Sequence, residues 1–263
     1  LIGEKANYLK GNVTREFDCL WSSSLADSLT RGKPDNQSVD YSTRISGLNE
    51  IFDVTTKPII FDGDNGGEMH HIPYLIKTLE RLGTSAIAIE DKIGVKQNSL
   101  FSDQSSSKQD NIKDFCKKIK LIQKTKKSED FMLIARIESL IMRKGLKDAL
   151  KRAEAYSKAG CDMILIHSKS NDTNELFKFS NQFKKSKYFI PLVCVPSTYS
   201  HVKERDLIKN HFSIVIYANQ LLRSIYPSMV ETTASILKNQ RAKESEKKLM
   251  RIKEIINLIP PAY

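Results

Sequence analysis

The chain has 263 residues, of which 40% are hydrophobic, and its formal net charge is +11. This length and apolar content are sufficient for one large hydrophobic core. No run of 18 apolar residues occurs, which predicts that no segment spans a membrane. The start has no basic region followed by an apolar core, so no secretory signal is visible. Because Leu1 is not Met, we expect a processed chain or a piece of a longer protein.

The basic charge balance is compatible with two partner classes, nucleic acids and anionic small molecules. The lysines are scattered over helix-like segments that glutamates interrupt, which is typical of solvated helix faces. The chain has one Trp and no aromatic RNA-binding motif. We therefore expect a small-molecule substrate, no nucleic acid and no membrane partner.

The cysteines are widely spaced, and no C-x-x-C pair occurs among Cys19, Cys116, Cys161 and Cys194. This spacing is typical of reduced thiols in or near a core, and it argues against a zinc or redox site. The expected location is the cytoplasm.

Apolar, β-branched runs alternate with helical patterns along the chain. Strands are predicted at residues 17–21, 57–61, 85–89, 131–137, 162–167, 189–195 and 212–218. Residues 1–4 are a candidate for the end of an eighth strand. Helices are predicted at residues 69–83, 111–127, 146–160, 174–185 and 220–239. Gly83 and Gly160 stand where a helix ends in a left-handed residue.

This alternation predicts a parallel sheet covered by helices. Eight such units favour a (β/α)₈ barrel of TIM type over an open doubly wound sheet, because no G-x-G-x-x-G follows the first strand. We expect one α/β barrel domain over 1–263, with a helical C-terminal segment at about 220–259. Within it, the apolar stripe of 243–259 predicts an amphipathic helix that needs a partner surface, its own barrel or another subunit.

Charged residues follow the predicted strands at the points where the strands end. They are Asp62, Asp64, Glu90, Arg136 and His167. In a barrel these positions share the carboxyl-end rim, where such folds keep their active sites. Three acids without a nearby His or Cys ligand suit Mg²⁺, with Mn²⁺ as the alternative, rather than zinc. The Arg and His would add a positive patch for phosphate or carboxylate.

Each residue also has a structural interpretation of its own. The D-x-D pattern alone fits a turn with solvated acids. Arg136 could pair with Glu138, and His167 could be a satisfied core histidine. Glu90 on the next strand makes the metal interpretation the stronger one, and the alternatives are weaker jointly than singly.

A long polar segment, residues 93–110, follows the third strand. Long rim loops without regular structure are often lids. Lys96, Asn98 and Ser99 would then reach the ligand on closure. The alternative is a mobile surface loop.

These motifs resemble the phosphoenolpyruvate mutase family of the isocitrate lyase superfamily. The E-D-K, five residues, N-S signature reads EDKIGVKQNS at 90–99. Further matches are WSSSL at 21–25, FDGDNGG at 61–67, ARIES at 135–139 and ILIHSK at 164–169. They occur in the same order, and the resemblance extends from Trp21 past Arg223.

The resemblance implies a Mg²⁺-dependent isomerase that interconverts phosphoenolpyruvate and phosphonopyruvate, a reaction of phosphonate biosynthesis. It implies that Asp62 binds the metal directly, while Asp64, Glu90 and Asp35 hold metal-bound waters. It also implies a homo-oligomer, dimer or tetramer, that exchanges the C-terminal helix between subunits.

The resemblance assigns the other site residues to parts of the substrate. Backbone amides of Ser23 and Ser24, helped by Arg136, would receive the carboxylate and enol oxygen. Trp21 and Leu25 would form a wall around the enolate. The phosphoryl group would be held by Asn98, Ser99, Arg136 and His167, with Lys96 arriving in the lid.

Other functions remain open from the sequence. A phosphonopyruvate hydrolase would use the same pocket but admit water. A carbon–carbon lyase would need a Cys in the lid, and residues 92–108 contain none. A basic binding domain on a degenerate barrel is the alternative without catalysis. Within the mutase reading, Asp35 could also act as a nucleophile that forms a phospho-aspartate.

Overall fold

The computed structural model describes most of the chain in two compact units. The described residues are 2–11, 13–101, 104 and 107–259. The units are Leu1–Ala218 and Asn219–Tyr263.

The strands of the described chain all belong to the first unit. In chain order they are β1 Asn7–Lys10, β2 Val13–Glu16, β3 Leu20–Ser22, β4 Ile59–Asp62, β5 Ala86–Glu90, β6 Lys92–Ile93, β7 Lys108–Gln109, β8 Met132–Ile137, β9 Met163–Ile166, β10 Leu192–Cys194 and β11 Phe212–Val215.

Seven of these strands form one curled parallel sheet, in the order β11-β10-β9-β8-β5-β4-β3. The spatial order follows the chain order, so each crossover leads to the adjacent strand, as in a barrel. Register brings the strand ends together, since Glu90 lies opposite Arg136 in the β5–β8 pair. The predicted fold class, an α/β barrel of TIM type, is confirmed with seven sheet strands in the described residues.

The proposed eighth strand at the N-terminus is wrong. Residues Ile2–Lys5 form a short helix, and the residues after it form the antiparallel hairpin β1–β2. A strand inside a parallel sheet needs apolar side chains on both faces. Glu4 and Lys5 do not meet that need, and Glu4 instead accepts a hydrogen bond from the Thr55 hydroxyl.

The helices cover the outside of the sheet in the first unit and make up most of the second. In chain order they are α1 Ile2–Lys5, α2 Ser24–Thr30, α3 Tyr41–Phe52, α4 Ile72–Leu82, α5 Ile112–Thr125, α6 Gly145–Ala159, α7 Asn174–Phe183, α8 Glu204–Lys209, α9 Gln220–Asn239 and α10 Ile252–Ile256. The predicted helix ends at Gly83 and Gly160 are confirmed, with φ of 86° and 104°.

The apolar core lies in two layers, one on each face of the sheet. The inner layer includes Ile60, Ala88 and Leu165, while the outer layer packs sheet residues such as Phe61 and Ile89 against the helices. Neighbouring strand residues alternate between the layers, as in a filled barrel. The barrel interior is therefore a packed core, and a ligand site has to lie at its rim.

The second unit contains the predicted helix 220–239 as α9, which confirms that prediction. The continuous helix predicted over 243–259 is wrong. The segment forms a 3₁₀ turn at Glu246–Lys248, is extended at Leu249 and is helical only in α10. Short amphipathic segments hold a helix only against a packing surface, and Ile252 is 73% exposed.

All four cysteines are free thiols, and Cys161 and Cys194 are buried. This agrees with the expectation of reduced thiols in or near the core. None of the helices in the described part of the chain combines the length and the apolar composition that crossing a membrane requires.

Candidate active site

Asp62 is the last residue of β4 and lies against the start of α2. Its Oδ2 accepts hydrogen bonds from the Ser24 hydroxyl at 2.8 Å and the Ser24 amide at 3.2 Å. Burial raises the pKa of Asp62, but the charges of Lys96, Arg44 and Arg136 outweigh burial and lower it to about 2. The Asp62 carboxylate is therefore ionised at neutral pH and well positioned.

Asp64 stands in the tight turn after β4 with a φ of +48°. The turn fits closely because Gly63 has no side chain: a Cβ there would lie 2.7 Å from the Ile87 side chain. Asp64 Oδ1 lies 2.5 Å from Lys96 Nζ. Burial and the nearby charge of Asp62 raise the pKa of Asp64.

Arg44, on the buried face of α3, joins this turn to the neighbouring strand ends. Its guanidinium donates to the Asp62 carbonyl at 2.6 Å, the Ser22 carbonyl at 3.2 Å and the Asp27 carboxylate at 2.9 Å. The sequence analysis missed this residue. The available signal was a charged residue four positions before Leu48, on a helix face that is otherwise apolar.

The long loop, residues 94–107 between β6 and β7, places Lys96 and Asn98 among the carboxylates. Lys96 Nζ donates to Asp35 Oδ1 at 2.6 Å and contacts the Ser24 hydroxyl, and Asn98 Nδ2 donates to Asp35 Oδ2 at 2.8 Å. Burial alone would lower the pKa of Lys96, but the charges of four carboxylates outweigh burial and raise this pKa above its ordinary value. The ammonium therefore stays charged. The parts of the predicted lid at 102–103 and 105–106 lie outside the described residues.

Glu90 and Arg136 lie side by side at the ends of β5 and β8. Arg136 Nη2 is 3.2 Å from Glu90 Oε2 and donates to the Ser99 hydroxyl at 3.0 Å. Lys92 Nζ lies 3.7 Å from the other Glu90 oxygen. Burial, only partly offset by these cations, raises the pKa of Glu90 to about 7.

Glu138 contacts the residues on the basic side of the site, which are Arg136, His167 and Ser99, and its side chain is 0% exposed. Its Oε1 lies 2.5 Å from Arg136 Nε and 2.9 Å from His167 Nδ1, and its Oε2 accepts from the Ser99 hydroxyl at 2.6 Å. Burial raises the pKa of Glu138, but Arg136 and His167 lower it well below its ordinary value. Glu138 was considered only as an ion-pair partner, and its contacts with Ser99 and His167 were missed.

His167 is neutral at pH 7, because burial and the Arg136 charge lower its pKa. Its Nδ1 is 2.9 Å from both Glu138 Oε1 and Arg136 Nη2. The tautomer decides which contact is the hydrogen bond, since Nδ1 donates to Glu138 or accepts from Arg136. The structural alternatives for Arg136 and His167, an ion pair and a satisfied histidine, are thus both present, at the same rim as the acids.

The connection from β3 to α2 contributes the remaining predicted residues. Trp21 packs partly against the inner core layer. Ser23 caps α2 by accepting from the Ala26 amide, and Leu25 is half-buried in the first helical turn. The predicted residues thus divide: Ser24, Asp35, Asp62, Asp64, Lys96 and Asn98 share one cluster, and Glu90, Ser99, Arg136 and His167 share another.

The oxygen atoms of this site suit a magnesium ion that is bound partly through water. Among the described residues, no three His, Cys, Asp or Glu side chains are grouped as direct ligands of one ion. Asp64 Oδ1 and Glu90 Oε2 are nevertheless buried oxygens without a well-aligned hydrogen bond. Such an oxygen-only set fits a hard cation bound by one carboxylate and, through water, by the others.

A comparison with family models matches residues 5–237 to the phosphoenolpyruvate phosphomutase family. A phosphoenolpyruvate phosphomutase from Tetrahymena pyriformis is 34% identical over 260 residues, which cover 98% of this chain and 85% of the relative.

Solved structures show the same likeness. A phosphoenolpyruvate phosphomutase from Streptomyces platensis subsp. rosaceus superposes with a TM-score of 0.86 at 30% identity, covering 92% of this chain and 83% of that one. A phosphonopyruvate hydrolase in complex with oxalate and Mg²⁺ superposes with a TM-score of 0.82 at 32% identity, covering 92% and 82%. A 2,3-dimethylmalate lyase of the phosphoenolpyruvate mutase/isocitrate lyase superfamily shares the fold at 17% identity, with a TM-score of 0.74 and coverage of 85% and 74%. The chain therefore belongs to the phosphoenolpyruvate phosphomutase family and is an enzyme of the phosphomutase class.

Proposed function

We propose that this enzyme interconverts phosphoenolpyruvate and phosphonopyruvate in a Mg²⁺-dependent reaction that forms the P–C bond of a phosphonate. The phosphoryl group would leave the enol oxygen and reattach to the methylene carbon of the same pyruvate enolate. One observation carries the proposal. Acids and fixed cations from separate strand ends meet the long loop at one rim, a site suited to a metal ion and an anionic, phosphorylated substrate.

The metal would be held by Asp62 directly and by Asp64, Glu90 and Asp35 through water. Bound Mg²⁺ would supply positive charge to the enolate oxygen. Mn²⁺ has the same preference for oxygen ligands and is the alternative.

The phosphoryl group would lie against Arg136, Ser99 and His167. A loose, metaphosphate-like transfer needs positioning and electrostatic stabilisation more than covalent help. Glu138 supports this role, because it accepts hydrogen bonds from Arg136 and Ser99 and so orients both side chains. The His167 tautomer that accepts from Arg136 at Nδ1 would leave Nε2–H to donate to a phosphoryl oxygen.

The acidic side of the site would hold the pyruvate part of the substrate. Trp21 and Leu25 would form a wall around the enolate, and the amides of Ser23 and Ser24 would receive its oxygens. The Ser24 amide now donates to Asp62 at 3.2 Å, so substrate and Asp62 would share this donor.

The long loop would act as a lid that excludes water. Lys96 and Ser99 are 8% and 3% exposed, so the loop already covers the centre of the site. Without this cover, hydrolysis would compete with transfer. Both Asp35 oxygens accept hydrogen bonds from the loop, which supports Asp35 as an anchor for Lys96 and Asn98 over the nucleophile role.

Phosphonopyruvate hydrolysis is the second candidate, favoured by the superposition with a hydrolase at a TM-score of 0.82. Phosphorus NMR of the protein with phosphonopyruvate and Mg²⁺ separates the two reactions. We expect phosphoenolpyruvate to appear. Inorganic phosphate with pyruvate would establish the hydrolase, and an unchanged spectrum would contradict both.

We further propose that the enzyme works in the cytoplasm. Its four free thiols support a reducing compartment.

A further inference from the structure

We infer that Asp91 and Arg152 form a positioning pair that fixes both ends of the long loop and the orientation of Glu138. Neither residue belongs to the proposed substrate or metal site. The inference rests on the proposed function only where turnover is the measurement.

Asp91 is fully buried directly after β5, with an exposure of 0%. Its Oδ2 accepts hydrogen bonds from Arg152 Nη1 at 3.1 Å, the Tyr156 hydroxyl at 2.8 Å and Gln109 Nε2 at 2.9 Å. Its Oδ1 accepts from the Glu138 amide at 2.9 Å. One carboxylate therefore joins helix α6, the end of the long loop and the exit of β8.

The two stems of the loop are tied to the same pair. The Asp110 amide donates to the Asp91 carbonyl at 2.8 Å, and Arg152 Nη1 donates to the Asp110 carbonyl at 2.9 Å. Between these anchors, Lys92 pairs with Gln109 in the β6–β7 ladder. The direction in which the loop leaves the barrel is thus set at its base by contacts with α6.

The pair also reaches the basic side of the site through one peptide. The amide held by Asp91 belongs to Glu138, whose side chain contacts Arg136, His167 and Ser99. Displacing this peptide would move all three side chains together. In enzymes, a misplacement of about 1 Å can cost roughly 100-fold in rate.

The chemistry of the pair favours positioning over a gain in stability alone. A buried ion pair adds little net stability compared with apolar residues of the same size. The pair instead fixes the orientation of its neighbours, because the planar guanidinium of Arg152 holds Asp91, the Asp110 carbonyl and Asp148 at fixed angles.

The test compares Asp91→Asn, Arg152→Met and the double variant in the full-length protein. We expect kcat with phosphonopyruvate to fall about 10- to 100-fold, with a smaller change in KM. We also expect trypsin to cleave at Lys96 and Lys108 at least about 10-fold faster. Because the two residues act as one unit, the double variant should be no worse than the more severe single variant.

Asp162→Asn is the matched control. Asp162 binds a backbone amide near the start of β8, whereas Asp91 binds the amide that follows the end of β8. Asp162 Oδ2 accepts from the Leu133 amide at 2.7 Å and from Gln123 Nε2 at 3.1 Å. This variant should lower the thermal unfolding midpoint but leave kcat and loop cleavage unchanged.

If the charge variants do not fold, Tyr156→Phe takes their place in the test. It removes one hydrogen-bond donor to Asp91 with little change in side-chain volume. It should give a smaller increase in loop cleavage in the same direction. The inference is overturned if trypsin cleaves the loop of the folded Asp91, Arg152 or Tyr156 variants at the wild-type rate. It is also overturned if these variants match Asp162→Asn in kcat and in loop cleavage. Loop cleavage needs no turnover, so it tests the pair even if the proposed reaction fails.

Discussion

Asp62 and Asp64 lie two residues apart, and their environments move their pKa values in opposite directions. The pKa of Asp62 is lowered to about 2 although the side chain is buried, because three cations and Ser24 stabilise its charge. The pKa of Asp64 is raised by burial and by the charge of Asp62. Asp62 is therefore the carboxylate best able to bind a cation directly.

Replacing Asp62 with Asn should abolish Mg²⁺-dependent turnover while the fold is kept. The amide preserves side-chain size and can still accept from Ser24, but it removes the charge that would bind the ion. Turnover is measured by phosphorus NMR across a Mg²⁺ titration, and folding by circular dichroism. Full activity in this variant would remove Asp62 from the metal site.

The Asn98→Ala variant should lose about 100-fold in kcat, because it removes the hydrogen bond to Asp35 that positions the loop over the site. Val95→Ala in the same loop is the control, because Val95 is 81% exposed and should tolerate the change. A change in KM alone would show that the loop merely covers the site. Initial rates at saturating and limiting phosphonopyruvate distinguish these outcomes.

Glu138 should make folding stability depend on pH below its ordinary pKa of 4.5. Its pKa in the folded protein lies below this value, so its stabilising effect is present above pH 4.5 and is lost as the pH falls through the folded pKa. Glu138→Gln lacks this dependence. The difference in unfolding free energy between wild type and variant should therefore shrink from pH 6 to pH 3.5. A constant difference in urea unfolding would contradict the lowered pKa.

At the scale of elements, helix α3 supports the acidic side of the site. It carries Arg44, which binds the Asp62 carbonyl, and Tyr41, whose hydroxyl donates to the Gly63 carbonyl at 2.6 Å. Asp40 is the N-cap residue of this helix, and its side chain accepts from the Thr43 amide at 2.9 Å. Its N-cap thus contributes indirectly to the turn that holds the acids.

Asp40→Ala should destabilise the protein by about 1 kcal/mol, because it removes this N-cap. For a chain of this length the midpoint of thermal unfolding should fall by roughly 2–4 °C. Asp40→Ser, which keeps a capping oxygen, should recover most of the loss. Calorimetry checks both variants, and equal midpoints for Ala and Ser would exclude capping as the cause.

At the scale of the whole molecule, the second unit has many exposed apolar side chains. On α9, Tyr226, Met229 and Leu237 are 72%, 63% and 74% exposed. Several exposed apolar side chains on one helix are typical of interaction sites. It supports the proposal that the chain forms a homo-oligomer, a dimer or tetramer, through its C-terminal segment.

Sedimentation velocity at micromolar concentration should therefore show a dimer or larger species. Leu237→Glu should shift the distribution towards the monomer, because it places a charge in the contact. Lys238→Gln, which changes the net charge by the same one unit on the same helix, is the control. A wild-type protein that sediments as a monomer would contradict the proposal.

The order of the seven sheet strands, the parallel sheet and the rim position of the charged residues followed from the sequence alone. Apolar strand runs report burial on both faces, and residues that follow parallel strands share one edge. For this reason Asp62, Glu90, Arg136 and His167 could be placed at one rim without coordinates. The short helices α2 and α8 were missed because one or two turns give too little periodicity. The longer helix α3 was also missed, because Ser42, Thr43 and Gly47 are weak helix formers.

Only the tertiary structure decided which polar groups contact one another. It placed Asn98 with Asp35 instead of with Arg136, and it revealed Arg44, Glu138 and Arg152 as supports. Such contacts join residues far apart in the chain, and their geometry depends on side-chain packing that no local pattern records. Tertiary packing likewise decided that residues 243–259 do not form one helix, because an amphipathic stripe becomes helical only where a surface receives it.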